Sequence, residues 1–164
     1  MEIAPIPKVE SDRLSALRAL LIRDTPPEER FDRIAAFAAQ EFDVPIALVS
    51  LVDGDRTRFK SHFGLDLCEV PPHASFFGQA IASDETLVVP DALLDSRFAD
   101  NPYVVNPPHV RFYAGACLRM PSGQVVGTLC LHDLIPREMD AISLAILSSL
   151  RDLVVEQLVA KESK

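Results

Sequence analysis

Along this chain the apolar residues recur every three or four positions in some stretches, and alternate or run unbroken in others. Leu14, Leu17, Leu20 and Leu21 fall at helical spacing, with Ser11 or Asp12 available as an N-cap, which predicts a short amphipathic helix over 10–22. The run Asp24-Thr25-Pro26-Pro27-Glu28-Glu29 breaks it. A second helix is predicted from about Pro27 to Phe42, because Phe31, Ile34, Ala35, Ala38 and Phe42 again share one face. From Asp140, an N-cap candidate, a last helix runs almost to the end of the sequence. It carries one stripe of Ile142, Ile146, Ser149 and Leu153 and a neighbouring stripe of Leu147, Leu150, Val154 and Leu158. That arc is broader than one contact with a sheet requires, and either a partner subunit or another helix of the same chain would cover the remainder.

Between the helices the period changes to two. Pro45 to Asp53 is apolar on both alternating faces, the pattern of a central strand covered on each side. Arg56 to Gly64 sets Arg58, Lys60 and His62 against Phe59, Ser61 and Phe63, which predicts an edge strand with a charged outer face. Ser75 to Ser83 reads as a short helix with Phe76, Phe77 and Ile81 inward, and Leu87 to Val89 as a strand. Val110 to Met120 and Gln124 to Asp133 form two buried strands joined by the hairpin signal Pro121-Ser122-Gly123. The Pro- and Asn-containing segment from Asp91 to Pro108 reads as an irregular functional loop around a helical turn. This order predicts an α+β domain: an antiparallel sheet with helices on both faces.

Size fits one such domain, since 164 residues with 48% hydrophobic composition can bury a substantial core. A formal net charge of −8 with scattered basic residues argues against nucleic acid and anionic membrane as partners. The N-terminal residues lack an apolar signal core and no apolar run approaches the length of a membrane span, so a cytoplasmic location is expected. Cys68, Cys117 and Cys130 contain no C-x-x-C pair and read as free, buried thiols. Cys130 and His132 share one strand face but lack a further ligand pair, and none of the four histidines has a spacing that argues for haem; no metal or cofactor is expected.

Several ordered stretches resemble the GAF domains of bacterial sensor histidine kinases and diguanylate cyclases. They are Leu21 to Asp32, Val44 to Asp53, Val89-Pro90-Asp91-Ala92 with Arg97 to Pro102, Arg111 to Ala116, and Gly127-Thr128-Leu129-Cys130. The resemblance spans about Arg13 to Leu158, giving a domain over 10–160 after an N-terminal extension of residues 1–9. It implies a sheet of roughly six strands, with the terminal helices on one face, paired in a homodimer, and a ligand pocket on the other. Carried over by position, that pocket would be lined by Phe76, Phe77 and Gln79 on the short helix, Arg97, Phe98 and Asn101 in the loop, and Arg111, Tyr113 and Cys117 on the strand. By period two the last three share a face, and a buried Arg111 calls for an anionic partner: Asp91, Asp95, Asp100 or a ligand.

The implied function is regulatory: a small molecule or partner signal, passed through dimerising helices to an output module such as a histidine kinase or diguanylate cyclase. No catalytic residue is expected in this chain, which has neither a Gly-rich phosphate loop nor a nucleophile elbow. Relatives often carry Cys-x-His on the short helix where this chain reads Phe77-Gly78-Gln79, and no Cys-His dipeptide for bilin attachment occurs. Two alternatives stand beside the sensor reading. One is a structural GAF domain whose own side chains, Phe77 among them, fill the pocket; the other is an enzyme like the free methionine sulfoxide reductases, for which the cysteines are poorly spaced.

Overall fold

The computed structural model describes residues 15, 21–22, 29–53, 56–64, 69–70 and 86–162. Of the predicted first helix only Ser15, Leu21 and Ile22 fall within these, and the predicted 75–83 helix, with Phe76, Phe77 and Gln79, lies outside the described residues, as does Cys68. Helix α1 spans Arg30–Glu41 and buries Phe31, Ile34, Ala35 and Ala38 of the stripe read from the sequence, with Ala39 added, while Phe42 caps the end and is only partly buried. It ends where Asp43 turns left-handed (φ 52°), a backbone state that a short polar side chain tolerates, and Val44 N–H donates back to the Ala39 carbonyl at 3.0 Å.

The chain then lays down β1 (Ile46–Asp53), β2 (Arg56–Phe63), β3 (Glu69–Val70), β4 (Leu87–Val89), β5 (Phe112–Arg119) and β6 (Val125–Asp133). These make one six-stranded sheet in the order β3-β2-β1-β6-β5-β4 with every pair antiparallel. The edge assignment for β2 needs correction, because β3 pairs outside it through Thr57 with Val70 and Arg58 with Glu69. Two residues are too short to leave a periodic signal. The strict alternation of β2 also fails: Val49 faces Ser61 while Ser50 faces Phe59, so Lys60 is the extra residue of a bulge. Its ammonium lies 5.2 Å from the Phe31 ring centre, and Ser61 turns inward to donate to Asp32 at 2.5 Å.

Helix α3 (Ala141–Glu162) begins on Asp140, whose carboxylate accepts the Ser143 N–H at 2.8 Å, as the N-cap reading requires. It packs Leu147, Leu150, Leu153 and Val154, all fully buried, into the core that α1 shares with Ala47, Val49, Ala114, Ala116, Leu129 and Leu131 from the sheet. Four such side chains contribute roughly 1.5–3 kcal/mol each by area burial. Arg30 of α1 joins the two helices by donating to Gln157 at 3.0 Å. No helix among the described residues is long and apolar enough to cross a membrane.

The loop region between β4 and β5 is more ordered than its composition indicates. A 3-10 turn at Ala92–Leu94 is capped by the Asp91 carboxylate, and helix α2 (Pro102–Val105) is capped by Asn101, whose amide oxygen accepts the Tyr103 N–H at 2.9 Å. Pro102 sits at the first helical position, where its missing N–H costs nothing.

Candidate functional site

The two faces of the sheet carry different side chains because β1, β5 and β6 alternate, and the face away from α1 and α3 holds almost all of the polar ones. Strand register orders them into rungs. Ser50, Thr128 and Cys117 lie side by side across β1, β6 and β5; the next rung is Leu48, Cys130, Gly115 and Leu87; the third is Ile46, His132, Tyr113 and Val89. All are buried in a second core, to which the loop region adds Ala92, Phe98, Val104 and Val110.

Gly115 lets these rungs interact. The Tyr113 phenol folds along the strand over its bare Cα, so closely that a Cβ there would lie 2.1 Å from the hydroxyl oxygen. The hydroxyl thereby extends past the neighbouring rung toward Thr128, whose hydroxyl opposes the effect of burial on both Tyr113 and the Cys130 thiol. Ser50 Oγ lies 4.0 Å from Cys130 Sγ, and the His132 ring meets Tyr113 edge-to-face at 5.0 Å between centres. The result is one connected polar network in the floor of the sheet.

Burial keeps this network uncharged. It pushes the Cys130 thiol up to about 12, the Cys117 thiol and Tyr113 hydroxyl upward, and the His132 imidazole down to about 4. A neutral, hydrogen-bonding, polarisable floor suits an uncharged part of a ligand, such as a ring or an amide. It does not suit thiolate chemistry, because the nucleophilic form of either cysteine is disfavoured. Iodoacetamide near pH 8 is therefore expected to leave Cys117 and Cys130 unmodified in the native protein and to alkylate both after denaturation. Rapid native labelling of either, read by peptide mass mapping, would contradict this assignment.

The residues singled out from sequence divide into two groups. Phe98, Tyr113 and Cys117 do come together in the buried floor cluster. Asn101 is buried, yet its side chain is engaged in capping α2. Arg97 turns outward, clasping Asp95 through Nε at 2.9 Å and Nη2 at 2.7 Å while lying over the Phe98 ring. Arg111 departs from expectation, since its guanidinium takes the carbonyls of Val104 and Val110 at 3.1 and 3.0 Å in place of a carboxylate. Asp95, one of its anticipated partners, is already held by Arg97, which lowers its pKa. The sequence reading overlooked Ser50, Thr128 and His132 as floor residues. Their signal was present: polar positions at period two in strands that otherwise read as buried on both faces.

Comparisons with known proteins agree with this architecture. The chain is 40% identical over 137 residues to a cyclic di-GMP phosphodiesterase of Pseudomonas aeruginosa; the match takes in 84% of this chain and 23% of that protein, so the chain spans about a quarter of its relative. Among solved structures, the GAF domain of an Acinetobacter phosphoenolpyruvate-protein phosphotransferase superposes with a TM-score of 0.74 at 14% identity, over 96% of this chain and 98% of that one. The free methionine-R-sulfoxide reductase of Neisseria meningitidis gives 0.74 at 18% identity over 99% and 97%. A Coxiella burnetii phosphotransferase GAF domain gives 0.77 at 11% identity over 94% and 95%. Identities this low speak to the fold alone, but the family profile described as GAF domain matches residues 26–158, most of the sequence. The chain belongs to the GAF domain family.

Proposed function

We propose that this GAF domain is a regulatory module that takes a small molecule against the floor of β1, β5 and β6 and passes its presence, through α1 and α3, to an output module. The observation that carries the reading is the connected Tyr113–Thr128–Cys130–Ser50 network. A buried sheet face needs no such network for packing, and convergent polar groups among apolar and aromatic residues are what a small-molecule site uses for orientation. The 40% identical relative is a cyclic di-GMP phosphodiesterase, which favours an output module that turns over cyclic di-GMP above a histidine kinase. Catalysis belongs to that module, since the thiols on this floor are held protonated and a reductase of the methionine sulfoxide type would need one as thiolate.

Dimerisation through the terminal helices in the cytoplasm belongs to the same proposal. Helix α3 buries Leu147, Leu150, Leu153 and Val154 inward, and still leaves Ile142 exposed at 64% and Ile146, Val155 and Leu158 half-buried. That residual apolar surface is what a second subunit would cover. One observation supports the structural alternative: Phe98 and Tyr113 are fully enclosed by the chain's own side chains, and Arg97, Asn101 and Arg111 are engaged within it.

Non-denaturing mass spectrometry of freshly purified protein separates these readings in one spectrum. A dimer carrying a defined extra mass is the expected result. A dimer at bare polypeptide mass would move the assignment to the structural alternative, and a monomer would remove the helix-pairing element.

A further inference from the structure

Two helix ends in this domain are finished by arginines that come from elsewhere in the chain. At the end of α1 the carbonyls of Phe42 and Asp43 lie beyond the helical ladder, and the Arg137 guanidinium takes both, Phe42 through Nη1 at 2.9 Å and Asp43 through Nη2. Its charge also meets the negative end of the α1 dipole. At the end of α2, which packs on the other face of the sheet, the Val104 carbonyl is taken by Arg111 Nη1 at 3.1 Å.

Asp133, at the end of β6 and only 6% exposed, joins the two arginines. Its backbone carbonyl accepts the Arg111 N–H at 2.9 Å. Its carboxylate accepts Arg137 Nε through Oδ2 and the Leu134 N–H through Oδ1 at 2.6 Å. A carboxylate this buried persists because both oxygens are satisfied, and satisfying them fixes it between its partners. The same two arginines fasten the β4–β5 loop where it leaves and returns: Arg137 N–H donates to the Pro90 carbonyl at 3.1 Å, and the Arg111 carbonyl accepts the Ala92 N–H. Bonded groups thus run without a gap from Val104 in the loop through Arg111, Asp133 and Arg137 to Phe42 at the end of α1.

We propose that Arg111, Asp133 and Arg137 are the relay by which the β4–β5 loop and the C-terminal end of α1 order and loosen together. As the exit route for a signal the relay rests on the regulatory reading above, whereas the coupling itself is a property of the ligand-free domain. A ligand that moves the loop would shift the Arg111 backbone against Asp133. Arg137 would carry that shift to α1 and toward Asp140, the cap of α3.

Hydrogen–deuterium exchange read by mass spectrometry tests the coupling in the purified domain without ligand. Arg111→Met removes the bond at the end of α2, and because that guanidinium holds only carbonyls among the described residues, the change strands no buried anion. It is expected to speed exchange roughly fivefold or more in peptides over 102–110, which it disturbs directly, and also over 42–44, which it does not touch. Arg137→Lys keeps a charge beside Asp133 but lacks the planar fork that holds a carboxylate and two carbonyls at once. It should speed both segments as well, with 102–110 now the remote one. Arg119→Met, which loses a guanidinium bond to the Gly123 carbonyl at the far end of β5, should leave both within about twofold of the parent. Acceleration confined in each variant to the helix end that its arginine holds overturns the proposal. Equal acceleration across β1 overturns it too, since that would report a loss of global stability. Circular dichroism checks folding, and if one variant of the pair unfolds the other decides alone. The small-molecule reading is judged by the non-denaturing mass spectrum, so failure of the relay leaves that reading in place.

Discussion

Gly127→Ala is expected to cost the domain about 3 kcal/mol or more, the upper end for overpacking a tightly fitted position. Gly127 sits in β6 opposite Leu51 of β1 and Leu118 of β5, next to the point where the β5–β6 register shifts. A Cβ at this position would lie 1.8 Å from the Ser50 carbonyl oxygen, 2.9 Å from the Ser50 carbonyl carbon and 3.0 Å from the Leu51 Cα. Every one of these atoms is backbone, so no rotamer change relieves the clash and the two central strands must move apart. Separating them disturbs the rung in which Ser50 faces Thr128, so the polar floor is lost with the stability. Gly123→Ala is the informative contrast: nothing lies within 4 Å of its Cβ position, and only the left-handed backbone (φ 93°) resists a side chain. That costs about 1–2 kcal/mol. Urea unfolding of both variants decides the matter, and a Gly127→Ala protein within 1 kcal/mol of the parent would show that β1 and β6 are not packed as described.

Gly127 also marks the limit of what sequence periodicity reveals. Leu87–Val89 was readable to the residue, and β1, β5, β6 and α3 to within one or two, because burial on one or both faces writes a period that survives in a single sequence. The features that escaped depend on neighbours distant along the chain. β3 exists only because β2 offers it two residues of pairing, and the Lys60 bulge appears only once β2 is laid against β1. Between β4 and β5 the sequence showed one helical turn but not the bounds of the two short helices, because their signals are single capping residues, Asp91 and Asn101, which read equally well as turn residues in a loop.

The candidate site was legible to the same depth. Tyr113 and Cys117 were recoverable from strand parity, and Phe98 from its resemblance to a family position; all three reach the buried floor. Arg111 was misjudged because a sequence displays charges but not carbonyls. A guanidinium near a buried face needs acceptors, and the backbone at Val104 and Val110 supplied them before any carboxylate did. The polar network escaped because it depends on register: Thr128 meets Ser50 and Cys117 only when three strands are aligned, and Tyr113 reaches Thr128 only over the vacant side-chain position of Gly115.

Acidification should find the same floor as a weak point. His132 sits there in its neutral form, with burial holding its pKa at about 4 against an ordinary value of 6.5. The native state thus resists a proton that the unfolded chain accepts, and stability is fully present above pH 6.5 and is lost as pH falls toward about 4. Each unit in that window removes at most about 1.4 kcal/mol. Between pH 7 and 4.5 the histidine alone should withdraw about 2–3 kcal/mol, a large share of the 5–15 kcal/mol typical of a domain. Carboxylates titrate in the same range, Asp95 and Asp140 among them with lowered pKa values, so the measurement must be a difference. His132→Phe keeps an aromatic ring against Tyr113 and removes the titration. Its urea stability should fall less over this interval than that of the parent, by about 2–3 kcal/mol. Parallel pH profiles for the two proteins would mean that His132 reaches solvent in the native state. The floor of β5 and β6 would then be open at that end, and the closed, neutral network would have to be redrawn as a water-filled one.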